Sequence, residues 1–166
     1  VQFAFVNSSV IQNVISRNNY AGFSLTFSQD CCIAQSQFSY NYHGIRIDWS
    51  NNNLIDQNSV KNNQRTGIVI EGRENILIGN DLANYDNNLA LFRSFGNVIY
   101  HNNFYSGGRT YVYESNNNAW DNGYPSGGNY WSDYTGVDNY SGPYQNETGS
   151  DGIGDMPYVI DTNNQD

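Results

Sequence analysis

The chain has 166 residues, is 38% hydrophobic and carries a formal net charge of −9, with Lys61 as its sole lysine. That is enough chain for one domain with a core, but the charge argues against nucleic acid or an anionic lipid surface, which it could not neutralise. No run approaches the roughly eighteen apolar residues of a membrane span, and no basic segment leads into an apolar one, so neither direct membrane insertion nor a signal segment is read here.

In chain order, Val1, Phe3 and Phe5 alternate, and Phe23, Leu25 and Phe27 repeat them 22 residues later. The chain is therefore expected to open inside a repeat, with an uncovered strand edge. Such an edge is a template for pairing, and it predicts contact with copies of itself or with neighbouring envelope proteins. From there the period persists. Ile33, Ile55, Leu77 and Ile99 fall 22 apart, as do Phe38, Val60, Leu82 and Phe104. Ser36, Asn58, Asn80 and Asn102 keep the same step, and the runs opened by Gly22, Gly44 and Gly67 return at steps of 22 and 23. Each repeat holds short apolar alternations broken by Asn, Ser, Gly or Asp, too short for a helix. Strands of this kind stacked at about 4.8 Å make one turn of a coil each. The expected fold is an all-β, right-handed parallel β-helix of five or so coils, with an interior aliphatic column and an amide ladder at a turn.

Cys31-Cys32 stands where later coils have Asn53-Leu54, Asn75-Ile76 and Asn97-Val98. Adjacent cysteines point to opposite faces of a strand, so one should be a turn residue. The other, Cys32, should face outward as a candidate for an intermolecular disulfide. In the run after Gly44, Ile45 and Ile47 should point inward and Arg46 and Asp48 outward. Glu71 then falls above Asp48, with Arg73 close by, and two carboxylates about 5 Å apart suit a retaining glycosidase or a calcium ion. Against this, the column reads as solvated charge balanced by Arg46 and Arg73, the reading favoured here because no Asp-Asp pair or Gly-His-Gly motif of β-helix hydrolases, lyases or epimerases is present. His43, before Gly44, reads as a turn residue.

Coils are expected over 1–118, with 119–166 forming an irregular cap of the same domain. All three prolines lie in that second segment, and after Arg109 there are nine acidic residues and no basic one. Trp120, Tyr130, Trp131 and Tyr134 should lie over the last coil, as the end of a solenoid requires. The stretch from Glu147 to Asp155 partly resembles an Asp-rich calcium loop, with Glu147, Asp151 and Asp155 as candidate ligands and Gly149 at a position that usually carries one. No other cofactor is expected. Asn7, Asn139 and Asn146 each open a glycosylation sequon, consistent with an extracellular or cell-surface protein.

The coil pattern resembles the NosD-like branch of the carbohydrate-binding and sugar-hydrolase β-helix superfamily. The tail GGNYWSDYTGVDN…DGIGDMPYVID is similar to the segment that closes such helices in archaeal and bacterial surface proteins, although the Tyr-Pro-Leu that usually follows the final Asp is not in this sequence. Some members are named for copper delivery, whereas His43, His101 and Met156 here do not form a recognisable copper site. Two function classes follow. The first is a non-catalytic, self-associating envelope module that contacts glycans. The second is a carbohydrate-active enzyme using Asp48, Glu71 and Arg46.

Overall fold

The protein is described from a computed structural model covering residues 1–105 and 107–166. Three parallel sheets wrap one core. Sheet 1 stacks Gln2–Ala4, Ala21–Thr26, His43–Asp48, Thr66–Glu71, Asn87–Phe92 and Arg109–Tyr113, termed rungs one to six below. Sheet 2 stacks Val10–Gln12, Cys32–Ala34, Leu54–Asp56, Ile76–Ile78 and Val98–Tyr100. Sheet 3 stacks Ile15–Arg17, Gln37–Ser39, Ser59–Lys61, Asp81–Ala83, Asn103–Phe104 and Tyr130–Trp131. Every pairing within these sheets is parallel, as a coiled repeat demands. No described helix is long and apolar enough to cross a membrane.

The core is built from columns of like residues. Ile11, Ile33, Ile55, Leu77 and Ile99 pair in one register on sheet 2, and all are buried. Phe38, Val60, Leu82 and Phe104 form the sheet 3 column, which Trp131 continues. Trp131 stacks on Phe104 at 4.2 Å, and Tyr158 stacks on Trp131 at 4.1 Å, so the cap ends the column with aromatic rings. Coil character thus runs past Asn118, because Tyr130–Trp131 supplies a rung of sheet 3.

Side-chain ladders close the turns. In the column Ser36, Asn58, Asn80, Asn102 and Asn129, each residue accepts the backbone N–H of the residue one coil earlier, beginning with Val14. The final acceptor is Asp166, whose Oδ2 takes Asn129 N at 2.8 Å, Asn129 Nδ2 at 3.0 Å and Trp131 Nε1 at 2.6 Å. An acceptor-only carboxylate is the chemistry that the end of such a ladder needs. Burial pushes this carboxyl above its ordinary range, while the Trp131 and Asn129 donors pull it back. A second ladder runs through Cys31, Asn53, Asn75, Asn97 and Asn118, and a third through Asn19, Asn41, Asn63, Asn84 and Asn88.

The expectation of a turn at His43 needs correction. Gly22, Gly44 and Gly67 lie inside strands, and His43 begins the strand His43–Asp48 on the outer face of sheet 1. At Gly44 a Cβ would collide with Val60 Cγ1 and Gly67 O, so these glycines serve close packing and not a bend. The bends lie elsewhere, at left-handed positions such as Asn13, Gln35, Gln57, Gly79 and His101. Another left-handed column follows sheet 1 and holds Phe5, Phe27, Trp49, Arg93 and Glu114, with φ of 46–56°. Bulky residues in that conformation cost about 1–2 kcal/mol each, where Gly or Asn would cost little.

Candidate functional site

The outer face of sheet 1 carries three parallel columns. One holds Ala21, His43, Thr66, Asn87 and Arg109; the next holds Gln2, Ser24, Arg46, Val69, Ala90 and Tyr111; the third holds Ala4, Thr26, Asp48, Glu71, Phe92 and Tyr113. Small side chains at Val69 and Ala90 lie between tall ones on rungs three and six. Arg46 and Tyr111 are three rungs apart, about 14 Å at ordinary strand spacing. The result is a groove of about 890 Å³ whose floor is Val69 and Ala90. Although they point outward, these two residues are only 7% and 2% exposed, so the walls rise well above them.

One wall is charged. Arg46 grips Asp48 with both arms, Nε to Oδ2 at 3.1 Å and Nη2 to Oδ1 at 2.9 Å. The opposite wall is aromatic: Phe92 lies 5.5 Å from Tyr111 and 6.4 Å from Tyr113 between ring centres. Along one edge sit His43, Arg65, Asp86 and Arg109; along the other sit Glu71 and Arg93, with Arg93 Nε donating to Glu114 Oε2 at 2.9 Å. His43 is buried edge-on to Tyr20 and Tyr42, and its Nδ1 has no partner. Burial first, then the nearby Arg46 and Arg65 charges, lower its pKa to about 4, with Asp48 opposing. The ring is therefore neutral at pH 7.

The carboxylate pair expected from the sequence is present in register, Glu71 beside Asp48. Asp48 is held by the Arg46 fork, however, with each carboxylate oxygen engaged by one charge-assisted bond. Cys31 is buried at its turn, with Sγ 3.2 Å from Gln29 O, and Cys32 is half-buried on sheet 2. Burial, followed by the Asp56 charge, raises the Cys32 thiol pKa. In the cap, Asp151 accepts from Gly142 N, Gln145 Nε2 and Ile153 N, while Asp155 accepts from Asn139 N and Tyr140 N. Glu147 lies on an exposed hairpin strand, Glu147–Thr148, paired with Tyr140–Ser141. Among the described residues no three His, Cys, Asp or Glu side chains gather into a metal-holding group. Asn7, Asn139 and Asn146 are all exposed.

A stacked parallel coil with a packed core and a walled groove on its long-strand sheet defines a parallel β-helix solenoid. The chain belongs to the NosD family, whose model, described as periplasmic copper-binding protein (NosD), matches residues 1–136. No curated protein sequence matches it. Among solved structures, a double mutant of the periplasmic alginate epimerase AlgG is similar, with a TM-score of 0.46 at 18% identity over 71% of this chain. The alignment covers 38% of the epimerase chain, well under two thirds of its length. The copper in the family's description does not fit the donors here. His43 lies on sheet 1, Cys32 on sheet 2, and His101 at a left-handed turn where its Nε2 is 2.7 Å from Ser126 O. Met156 lies in the cap, far along the chain from all of them and exposed. Copper sites need such soft donors to converge, and these are dispersed.

Sequence reasoning found Arg46, Asp48 and Glu71 but missed the groove itself. The signal was available in the outward positions of the same strands, where polar residues give way to Val69 and Ala90 and then to Phe92, Tyr111 and Tyr113.

Proposed function

We propose that the chain is a non-catalytic β-helix module of the cell envelope, facing the cell exterior, that holds polysaccharide in the groove on sheet 1. The observation that carries this reading is the low Val69 and Ala90 floor between the Arg46–Asp48 fork and the Tyr111 and Tyr113 rings. Such a site combines flat apolar surface for sugar faces with a few oriented polar groups for hydroxyls. The Arg46 fork favours holding over chemistry, because it fixes the Asp48 carboxylate in one orientation. Contacts with copies of itself or neighbouring envelope proteins would add avidity to a weak single groove.

Affinity electrophoresis through gels containing neutral or uronic-acid polysaccharides tests the reading. Retardation by at least one polymer is expected, with loss in Tyr111→Ala and in Val69→Tyr, which fills the floor. No retardation by any polymer would overturn it. So would polymer cleavage or epimerisation that disappears in Asp48→Asn and Glu71→Gln, since the groove would then be catalytic.

A further inference from the structure

The left-handed column after sheet 1 breaks at one place. On rungs one to three, two residues separate the strand from the next bridge position: Phe5-Val6, Phe27-Ser28 and Trp49-Ser50. On rung five they are Arg93-Ser94, and on rung six Glu114-Ser115. On rung four Gly72 stands alone between Glu71 and Arg73. Its carbonyl accepts Asn97 Nδ2, as Ser50 O accepts Asn75 Nδ2 and Ser94 O accepts Asn118 Nδ2. Gly72 therefore fills the serine position, and the left-handed residue is the one missing. A side chain on Gly72 cannot replace it, because a Cβ there would collide with Ser50 O.

The deletion leaves a notch one side chain deep in an otherwise continuous ridge. Phe5 and Phe27 stack at 5.4 Å with 12° between their planes, and Trp49 stands next in the column. Beyond the gap comes Arg93, followed by Glu114. The notch is lined by Trp49, Glu71, Arg73, Arg93 and Phe95, with Arg73 lying 5.4 Å over the Phe95 ring. Trp49 is 54% exposed and its backbone is strained, so neither burial nor conformation accounts for an indole at that position.

The geometry points to a binding site for one neutral pyranose ring in this notch, seated where the missing side chain would lie. The sugar face stacks on Trp49, and its hydroxyl edge meets the Arg73 and Arg93 donors and the Glu71 acceptor. Two arginines are balanced there by Glu71 and Glu114, which favours an uncharged polyhydroxyl ring over an ion. Glu71 and Arg93 also line the sheet 1 groove, so the ring is a branch or terminal sugar of the glycan held there. The choice of a sugar rests on the glycan reading above.

Trp49 reports on its own site, because Trp120 and Trp131 are 2% and 7% exposed. The experiment titrates the chain with methyl glucoside, methyl galactoside and methyl mannoside to tens of millimolar and follows tryptophan emission. A saturable change with at least one sugar is expected. It should vanish when an asparagine inserted between Glu71 and Gly72 fills the gap. Trp49→Asn should lower retardation by polysaccharide at least several-fold without lowering Tm, since asparagine suits the left-handed backbone. Silence with all three sugars, or a change that survives the insertion, overturns the notch. Failure of the groove reads differently: polymer retardation would then be unaffected by Val69→Tyr while the Trp49 titration persists.

Discussion

Asn80→Ala removes the middle of the ladder from Ser36 to Asn129, and the consequences can be followed bond by bond. Asn80 is fully buried, and its Oδ1 accepts Asn58 N and Asn58 Nδ2, both at 3.0 Å. Its Nδ2 donates to Ile55 O at 2.8 Å, Ile78 O at 3.1 Å and Asn102 Oδ1 at 2.9 Å. Alanine strands the Asn58 N–H in the core, at about 1–3 kcal/mol, and forfeits bonds of about 1 kcal/mol each to groups that keep other partners. A loss of roughly 3 kcal/mol follows, or about 6–12 °C in Tm for a chain of this size. Thermal and urea unfolding measure it. Asn80→Ser should recover part of the loss, because serine already plays this acceptor role at Ser36, where Oγ takes Val14 N at 3.0 Å. Ser36→Ala, at the start of the ladder, should cost only about 1 kcal/mol. Equal costs at Ser36 and Asn80, or a Tm shift at Asn80 under about 2 °C, would refute the idea that the ladder carries stability.

Three further outcomes follow from the structure. His43 has a folded pKa of about 4 against an ordinary 6.5, so its contribution is intact above about pH 6.5 and is lost as pH falls toward 4. Between pH 7 and 5 that amounts to about 2 kcal/mol, and a pH series of urea midpoints should show the slope flatten in His43→Phe. The Cys32 thiol, raised by burial and by Asp56, should react slowly with a disulfide reagent at pH 8 and faster as pH climbs, whereas Asp56→Asn should speed it at fixed pH. Asp166→Ala should free Trp131 Nε1 and the Asn129 donors and shift tryptophan emission to the red. Asp166→Asn, which keeps an acceptor, should shift it less.

The coil architecture was legible because the core enforces it. A residue above its equivalent must match in shape, so Ile33, Ile55, Leu77 and Ile99 advertise the stack directly. The amide ladder was legible for the same reason, since Asn58, Asn80 and Asn102 each serve the coil before. His43 misled because a residue before Gly and an apolar run usually sits at a bend, whereas Gly44 and Gly67 are set by the crowding of Val60 and the Asn63 and Asn84 amides. The groove was hidden for a different reason. Its floor and walls are outward positions free to vary coil by coil, so nothing periodic flags them. Asp166 could not be read as the end of a ladder, because it follows Asn129 by 37 residues instead of 22.

The irregular steps in the repeat have a physical origin that links core and surface. The turn before rung four has four residues, Asn62 to Arg65, where the preceding turns have three, which explains the step of 23 from Gly44 to Gly67. The single residue at Gly72 cancels that insertion at the next corner. Arg73 therefore meets Phe95, and Leu77 returns to register over Ile55. Each irregularity is absorbed at its own corner, because rung four pairs in register with rung three, Thr66 beside His43 and Ile70 beside Ile47, before the shortened corner is reached. The disturbance is confined to the two corners, and the inward column Ile47, Ile70 and Leu91 remains aligned between them. It also forces glycine at 72, because a shortened corner brings its Cα against Ser50 O. The solenoid thus tolerates a paired insertion and deletion without loss of core, and the deletion half of the pair opens the notch beside Trp49.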